Sequence, residues 1–306
     1  MTQSNPRRGI LFMCVTTLVF AVQDGISRHL AAEYNTLMVV TIRYWFFAAF
    51  VIAISMRRAG GLRQTATTQQ PVTQILRGLL LAVEIVGAVI GFVYLGLVQT
   101  LAIFACYPLL VAALSGPVLG EWVGWRRWLA IALGFAGVLV ILAPGVGVFS
   151  PYAVIPFASA LLFALYGLMT RHAARRDSAA TSFFWTGVTG AVALTPLGLL
   201  TWEPMAQGDW AWMSALCVTG ATGHYLLIKA YEAAEASTVQ PFAYLHLVFG
   251  AAIGVLVFSE TVEARVAIGA AIVVAAGVFT ILREARSAPA TPRAAPARSS
   301  AAPARR

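Results

Sequence analysis

Long apolar runs broken by short polar stretches recur along the whole chain. Ten runs are each long enough for a transmembrane helix, which needs roughly 20 mostly apolar residues. They fall at about 9–30, 36–56, 74–95, 97–119, 126–143, 152–171, 180–201, 210–231, 236–258 and 264–282. The pattern predicts an all-α membrane protein of ten helices. Arg57, Arg58 and Arg63 with a Thr/Gln run part the second span from the third. Pro144, Gly145 and Gly147 part the fifth from the sixth, and Glu203, Pro204, Gly208 and Asp209 the seventh from the eighth. Between Tyr94 and Gln99 the third and fourth spans are nearly continuous.

Composition agrees. The 306 residues are 59% hydrophobic and only 11% charged, where soluble domains carry about 25% charge. Ten spans leave only short loops, so no large soluble domain fits. The net charge of +9 is spread over loops and a tail. A nucleic-acid surface would gather its basic residues on one soluble face, so no nucleic-acid partner is expected. Cys14, Cys106 and Cys217 stand far apart in apolar runs and offer no metal-ligand spacing. Neither a metal nor a cofactor is expected. Arg7 and Arg8 precede an apolar run that continues past Phe20 into Gln23 and Asp24. It reads as a retained first helix, not a cleaved leader.

Lys and Arg in short loops set the orientation of a membrane protein. With the N-terminus in the cytoplasm, 18 of the 21 Lys and Arg fall inside. Only Arg28 and Arg265 fall outside, and Arg43 lies within a span. This distribution calls for an even number of spans, with both termini on the cytoplasmic side of the inner membrane. Residues 285–306 are dominated by Ala, Pro, Ser and Arg, the composition of a disordered tail.

The two halves repeat. Tyr94 to Glu121, then Trp128 to Leu142, parallels Tyr231 to Glu260, then Val266 to Leu282. Each stretch has a Tyr, a helix with a proline (Pro108, Pro241), a terminal Glu and a last helix with an AGV core. The paired Tyr, Glu and Gly residues are 137, 139 and 140 positions apart. Five spans per half is an odd number, so the second half enters the membrane inverted. Inverted repeats are common in secondary transporters, with the substrate site near mid-membrane between the halves.

The stretch PLLVAALSGPVLGEW and its partner PFAYLHLVFGAAIGVLVFSE, followed by GAAIVVAAGV, resemble the two EamA-type repeats of the drug/metabolite transporter superfamily. The resemblance covers the chain up to about Leu282. It implies two five-helix repeats, 1–143 and 144–284, around a central cavity. It also implies metabolite transport without ATP hydrolysis, and the chain has no GxxxxGK[ST] phosphate loop. Similar families take amino acids, nucleotide-like cofactors or riboflavin as substrates. The intramembrane aromatic and neutral polar content suits a flat, uncharged or zwitterionic molecule; among the substrates the resemblance implies, riboflavin or a comparable aromatic metabolite is expected, with amino-acid or metabolite export as the alternative.

Ionisable groups within spans are costly and usually face a cavity or one another. At about 1.5 Å per residue, Glu84 and His246 lie near the midplane, and Asp24 and Arg43 roughly 10 Å below the outer surface. Glu84 and His246 are therefore expected at the substrate site from opposite halves. Asp24 and Arg43 are expected to pair as a gate or structural clamp. Tyr107, Tyr244 and Trp185, aromatic within spans, complete the expected substrate contacts. Trp122, Trp125, Trp128, Trp202, Trp210 and Trp212 are placed at the interfaces, as an aromatic belt requires. The GxxxG spacings Gly87–Gly91, Gly116–Gly120 and Gly250–Gly254 allow close helix packing, within the monomer or in a homodimer. An intramembrane enzyme would need a cluster such as HExxH. His29, His172, His224 and His246 form none, so no catalytic residue is assigned. The expected partners are a small-molecule substrate and the lipid bilayer.

Overall fold

The structure, a computed structural model, describes residues 5–119, 125–142, 151–233 and 242–287. The described residues are helices joined by short turns. They are α1 (Pro6–Glu33), α2 (Thr36–Met56), a short α3 (Gly61–Ala66), α4 (Pro71–Phe104), α5 (Tyr107–Leu119) and α6 (Trp125–Leu142). A 3-10 turn (Pro151–Ala153) leads into α7 (Val154–Ala173), followed by α8 (Ala179–Leu200), α9 (Asp209–Ala233), α10 (Leu245–Phe258) and α11 (Ala264–Ser287). Glu121, Trp122, Gly120, Pro144, Pro241 and residues 288–306 lie outside the described residues. The last helix runs three residues into the stretch assigned to the tail.

Local chemistry sets the helix ends. Asn5 caps α1 through a bond from the Arg8 amide, with Pro6 at the first turn. Asn35 caps α2, and Ser178 caps α8. Five helices, including α1, α2, α8 and the long α4, are long and apolar enough to cross a membrane by length and composition. Trp125, Trp128, Trp202, Trp210 and Trp212 are exposed.

The nearly continuous boundary of the sequence is a break inside α4. Gly96 adopts φ 80° and ψ 172°, a conformation open essentially to glycine. It ends the first segment, and a new helix starts at Leu97. The Leu97 and Val98 amides, orphaned at this helix start, each donate to the Glu260 carboxylate at 2.8 Å. Arg28 pairs with the same carboxylate and lies over the Phe258 ring.

The helices pack in recurring pairs: α1 on α9, α4 on α7, α2 on α8 and α6 on α11. In addition α1 packs on α10 and α5 on α7. Small residues permit the closest approaches. A Cβ on Gly137 would meet the Gly269 carbonyl at 2.8 Å, so α6 and α11 touch backbone to backbone. Gly87 faces Ser159, and Gly250 faces Leu101. Two of the three GxxxG spacings are thus used in packing within the chain, and the third, Gly116–Gly120, ends outside the described residues.

Candidate functional site

A cavity with about 860 Å³ of free space, its mouth included, lies between α1, α2, α4, α5, α7, α9 and α10. Helix α1 supplies Phe20, Gln23 and Asp24, and α2 supplies Arg43. Before its break α4 supplies Glu84, and beyond it Thr100 and Phe104. Tyr107 and Phe163 face in from α5 and α7, and His224 and His246 from α9 and α10.

Of the residues expected at the site, Glu84, Tyr107, His246, Asp24 and Arg43 meet in this one cavity. Asp24 Oδ2 lies 2.8 Å from His246 Nε2. Arg43 donates from Nη2 to Gln23 Oε1 at 3.1 Å, and Gln23 Nε2 donates to Asp24 Oδ1 at 3.4 Å. Asp24 and Arg43 are therefore linked through an amide and not by direct contact. Depth along a helix brought the two charges to one level, but Gln23, beside Asp24 on α1, stands between them. Gly220 makes room for this arrangement, because a Cβ there would sit 2.9 Å from Arg43 Nε. Glu84 is 5% exposed and makes no hydrogen bond among the described residues.

Tyr107 packs edge-on against Phe163, ring centroids 5.0 Å apart, and beside Phe104. Phe20 lies between the two histidine rings, 5.2 Å from His224 and 6.0 Å from His246. His224 also stacks on Phe47.

Two expected contacts lie off the main wall. Trp185 donates from its indole to the Ala66 carbonyl at 3.0 Å and anchors α3. Tyr244 borders a small side recess shared with Tyr107 and His246. Its hydroxyl is turned to Gly277 of α11, in a core otherwise built of apolar side chains. Sequence depth gives a residue's height in the membrane and not the direction its side chain takes around the helix. His224, Gln23 and Phe20 line the cavity as well, beyond the residues expected there. As an ionisable group within a span His224 carries the same signal as His246, and Gly223, just before it on α9, receives the Phe20 ring.

The EamA-like transporter family matches residues 7–143 and again 151–283. A riboflavin transporter of Vibrio cholerae is 29% identical over 90% of this chain and 93% of its own. An S-adenosylmethionine uptake transporter of Rickettsia prowazekii is 24% identical over 91% of this chain and 94% of its own. A solved crystal structure superposes with a TM-score of 0.65 at 16% identity, covering 92% of this chain and all of that one, and so shares the fold. Both repeats carry the family's pattern and both contribute walls to one cavity: the chain belongs to the EamA-like transporter family and is a multi-pass membrane transporter.

Proposed function

We propose that the chain is a ten-span secondary transporter that moves a flat aromatic metabolite, riboflavin or a molecule like it, across the inner membrane by alternating access. Two inverted five-helix repeats form it, and both termini are cytoplasmic. The central cavity is the observation that carries this reading. Its wall combines aromatic rings (Phe20, Phe104, Tyr107, Phe163) with few polar groups, the make-up of a site that buries a planar ring and orients it by hydrogen bonds. Glu84, Tyr107 and His246 are the proposed substrate contacts.

Helix pairing supports a two-fold relation between the repeats. Exchanging each helix for its counterpart in the other repeat turns the α1–α9 contact into α7–α4 and the α1–α10 contact into α7–α5. The α2–α8 and α6–α11 contacts map onto themselves. The relatives named as riboflavin transporters, in Vibrio cholerae and in Rhizobium johnstonii, support the choice of substrate.

The test is uptake of radiolabelled riboflavin into proteoliposomes holding only this protein. Saturable uptake above protein-free vesicles is expected. If riboflavin does not enter and does not compete with any substrate that does, the aromatic-metabolite reading is wrong.

A further inference from the structure

Two ionisable groups in the cavity wall have hydrogen-bonding capacity that the protein leaves unused. A guanidinium carries five N–H donors. Arg43 is 6% exposed and lines the cavity, yet among the described residues it makes one hydrogen bond, to Gln23 Oε1. Glu84, equally buried, accepts none. Every other charged or amide group of the wall is engaged: Asp24 by His246 and Gln23, and Gln23 by both Arg43 and Asp24. Buried polar groups in folded proteins are nearly always paired, and leaving a charged one unpaired is costly. Arg43 on α2 and Glu84 on α4 line the same cavity.

On the transporter reading above, the geometry points to Arg43 and Glu84 as a pair of substrate anchors that together read a polar edge carrying a hydrogen-bond acceptor beside a donor. Arg43 donates to the acceptor and Glu84 takes the donor. Gln23 holds one corner of the guanidinium toward Asp24, which leaves the remaining donors free for the ligand. Gly220 leaves room for the Arg43 head at Nε. Arg43 disfavours a purely cationic head, and Glu84 offers an acceptor from the facing helix, so the substrate's polar edge carries both an acceptor and a donor. Two chemistries present such an edge: the C=O/N–H edge of a heterocyclic imide and the carboxylate/ammonium head of a zwitterion. The aromatic walls then take the rest of the molecule.

Riboflavin, which has the imide edge, and S-adenosylmethionine, which has the zwitterionic head, are the two probes. Initial uptake rates are measured in proteoliposomes for wild type, Glu84→Gln, Arg43→Lys and Arg43→Gln, with correct folding checked by monodispersity in detergent. A hydrogen bond to a charged group is worth about 1.5–3 kcal/mol, which is roughly a 10- to 100-fold change in KM. Both Glu84→Gln and Arg43→Gln should raise KM within that range for the transported probe. Arg43→Lys should fall between, because an ammonium keeps the charge and loses the fork. For an imide the side-chain carbonyl introduced by Glu84→Gln can still accept, so that change should cost less than Arg43→Gln. For a zwitterion the two losses should be about equal, since each change removes one charge-assisted bond. If a probe is transported and its KM is unchanged in Glu84→Gln and Arg43→Lys, the anchor assignment falls while the transporter reading stands. If wild type takes up neither probe, the riboflavin reading falls and the anchor assignment with it.

Discussion

His246 Nε2 lies 2.8 Å from Asp24 Oδ2 and joins α10 of the second repeat to α1 of the first within the cavity wall. From Asp24 the chain of contacts continues through Gln23 to Arg43 on α2. Four side chains on three helices therefore form one network, in which each group satisfies the next. Removing one member of such a network strands its neighbour in a low-dielectric site.

Asp24→Asn and His246→Ala should consequently be non-additive. Each alone is expected to reduce uptake about tenfold or more, and the double change should be little worse than either, with a coupling of about 0.5–3 kcal/mol. Gln23→Leu should resemble Asp24→Asn, since it leaves Arg43 without its protein partner. A double-mutant cycle on uptake rates checks this. Additive losses would mean that the two residues act separately.

Gly96→Ala should destabilise the protein, because φ 80° is strained for any side chain and the new methyl would press on the Glu260 carboxylate. The cost is expected at about 1–3 kcal/mol. At roughly 2–4 °C per kcal/mol, melting in detergent should fall by several degrees. Glu260→Gln should lower it as well, by weakening the cap on Leu97 and Val98 and stranding Arg28. Unchanged melting in both variants would show that the helix break does not depend on this clamp.

In the turn between α7 and α8, burial pushes the Asp177 carboxyl up. Hydrogen bonds from Thr68, Gln74 and the Gln69 amide outweigh it and hold the carboxyl below its ordinary value. A carboxyl lowered in the folded state stabilises the protein above its unfolded pKa, near 3.9, and that contribution is lost as pH falls through the lower folded value. Wild type should therefore melt above Asp177→Asn at pH 6, and the gap should close as the pH is taken below about 4. A gap independent of pH would assign the difference to the shape of the turn and not to the charge.

Fusions at the C-terminus test the proposed topology. The ten-span reading puts 18 basic residues on one side and two on the other, so a fluorescent protein fused there should be bright and an alkaline phosphatase inactive. Active phosphatase at the C-terminus would place it outside and require an odd number of spans.

Several of these features can be read in the sequence, and the reason others cannot is geometric. The break at Gly96 is legible because charge asymmetry demands a boundary between Tyr94 and Gln99. Nothing local to it names Glu260, more than 160 residues away, as the cap. The common depth of Asp24 and Arg43 is legible from about 1.5 Å per residue. The insertion of Gln23 between them depends on rotamers and on the space left by Gly220, which have no periodic signature. Tyr244 and Trp185 lie within apolar stretches, as expected, but rotation about the helix axis turns one to Gly277 and the other to Ala66.

Arg77 shows the same limit and carries the last prediction. By charge it belongs to the cytoplasmic set at the start of α4, yet it is 1% exposed. Its guanidinium donates to Gln74 Oε1 at 2.9 Å, to Thr186 Oγ1 at 2.8 Å, to Thr170 Oγ1 at 3.1 Å and to the Ser182 carbonyl, with the Tyr166 ring 5.2 Å away. It thus pins α4 to α7 and α8. Removing the side chain leaves a cavity and several acceptors unpaired, a loss expected at about 3 kcal/mol or more. The two threonines already donate their hydroxyl protons to carbonyls on their own helices, Tyr166 and Ser182, so an apolar replacement strands less than the number of contacts suggests. Arg77→Met, which fills the volume, should therefore melt well above Arg77→Ala, and Arg77→Lys should not exceed Arg77→Met, because a buried ammonium cannot reach all four acceptors. If Arg77→Lys proves the most stable of the three, the site needs the charge itself, and Gln74 and Asp177 become its essential counterpart.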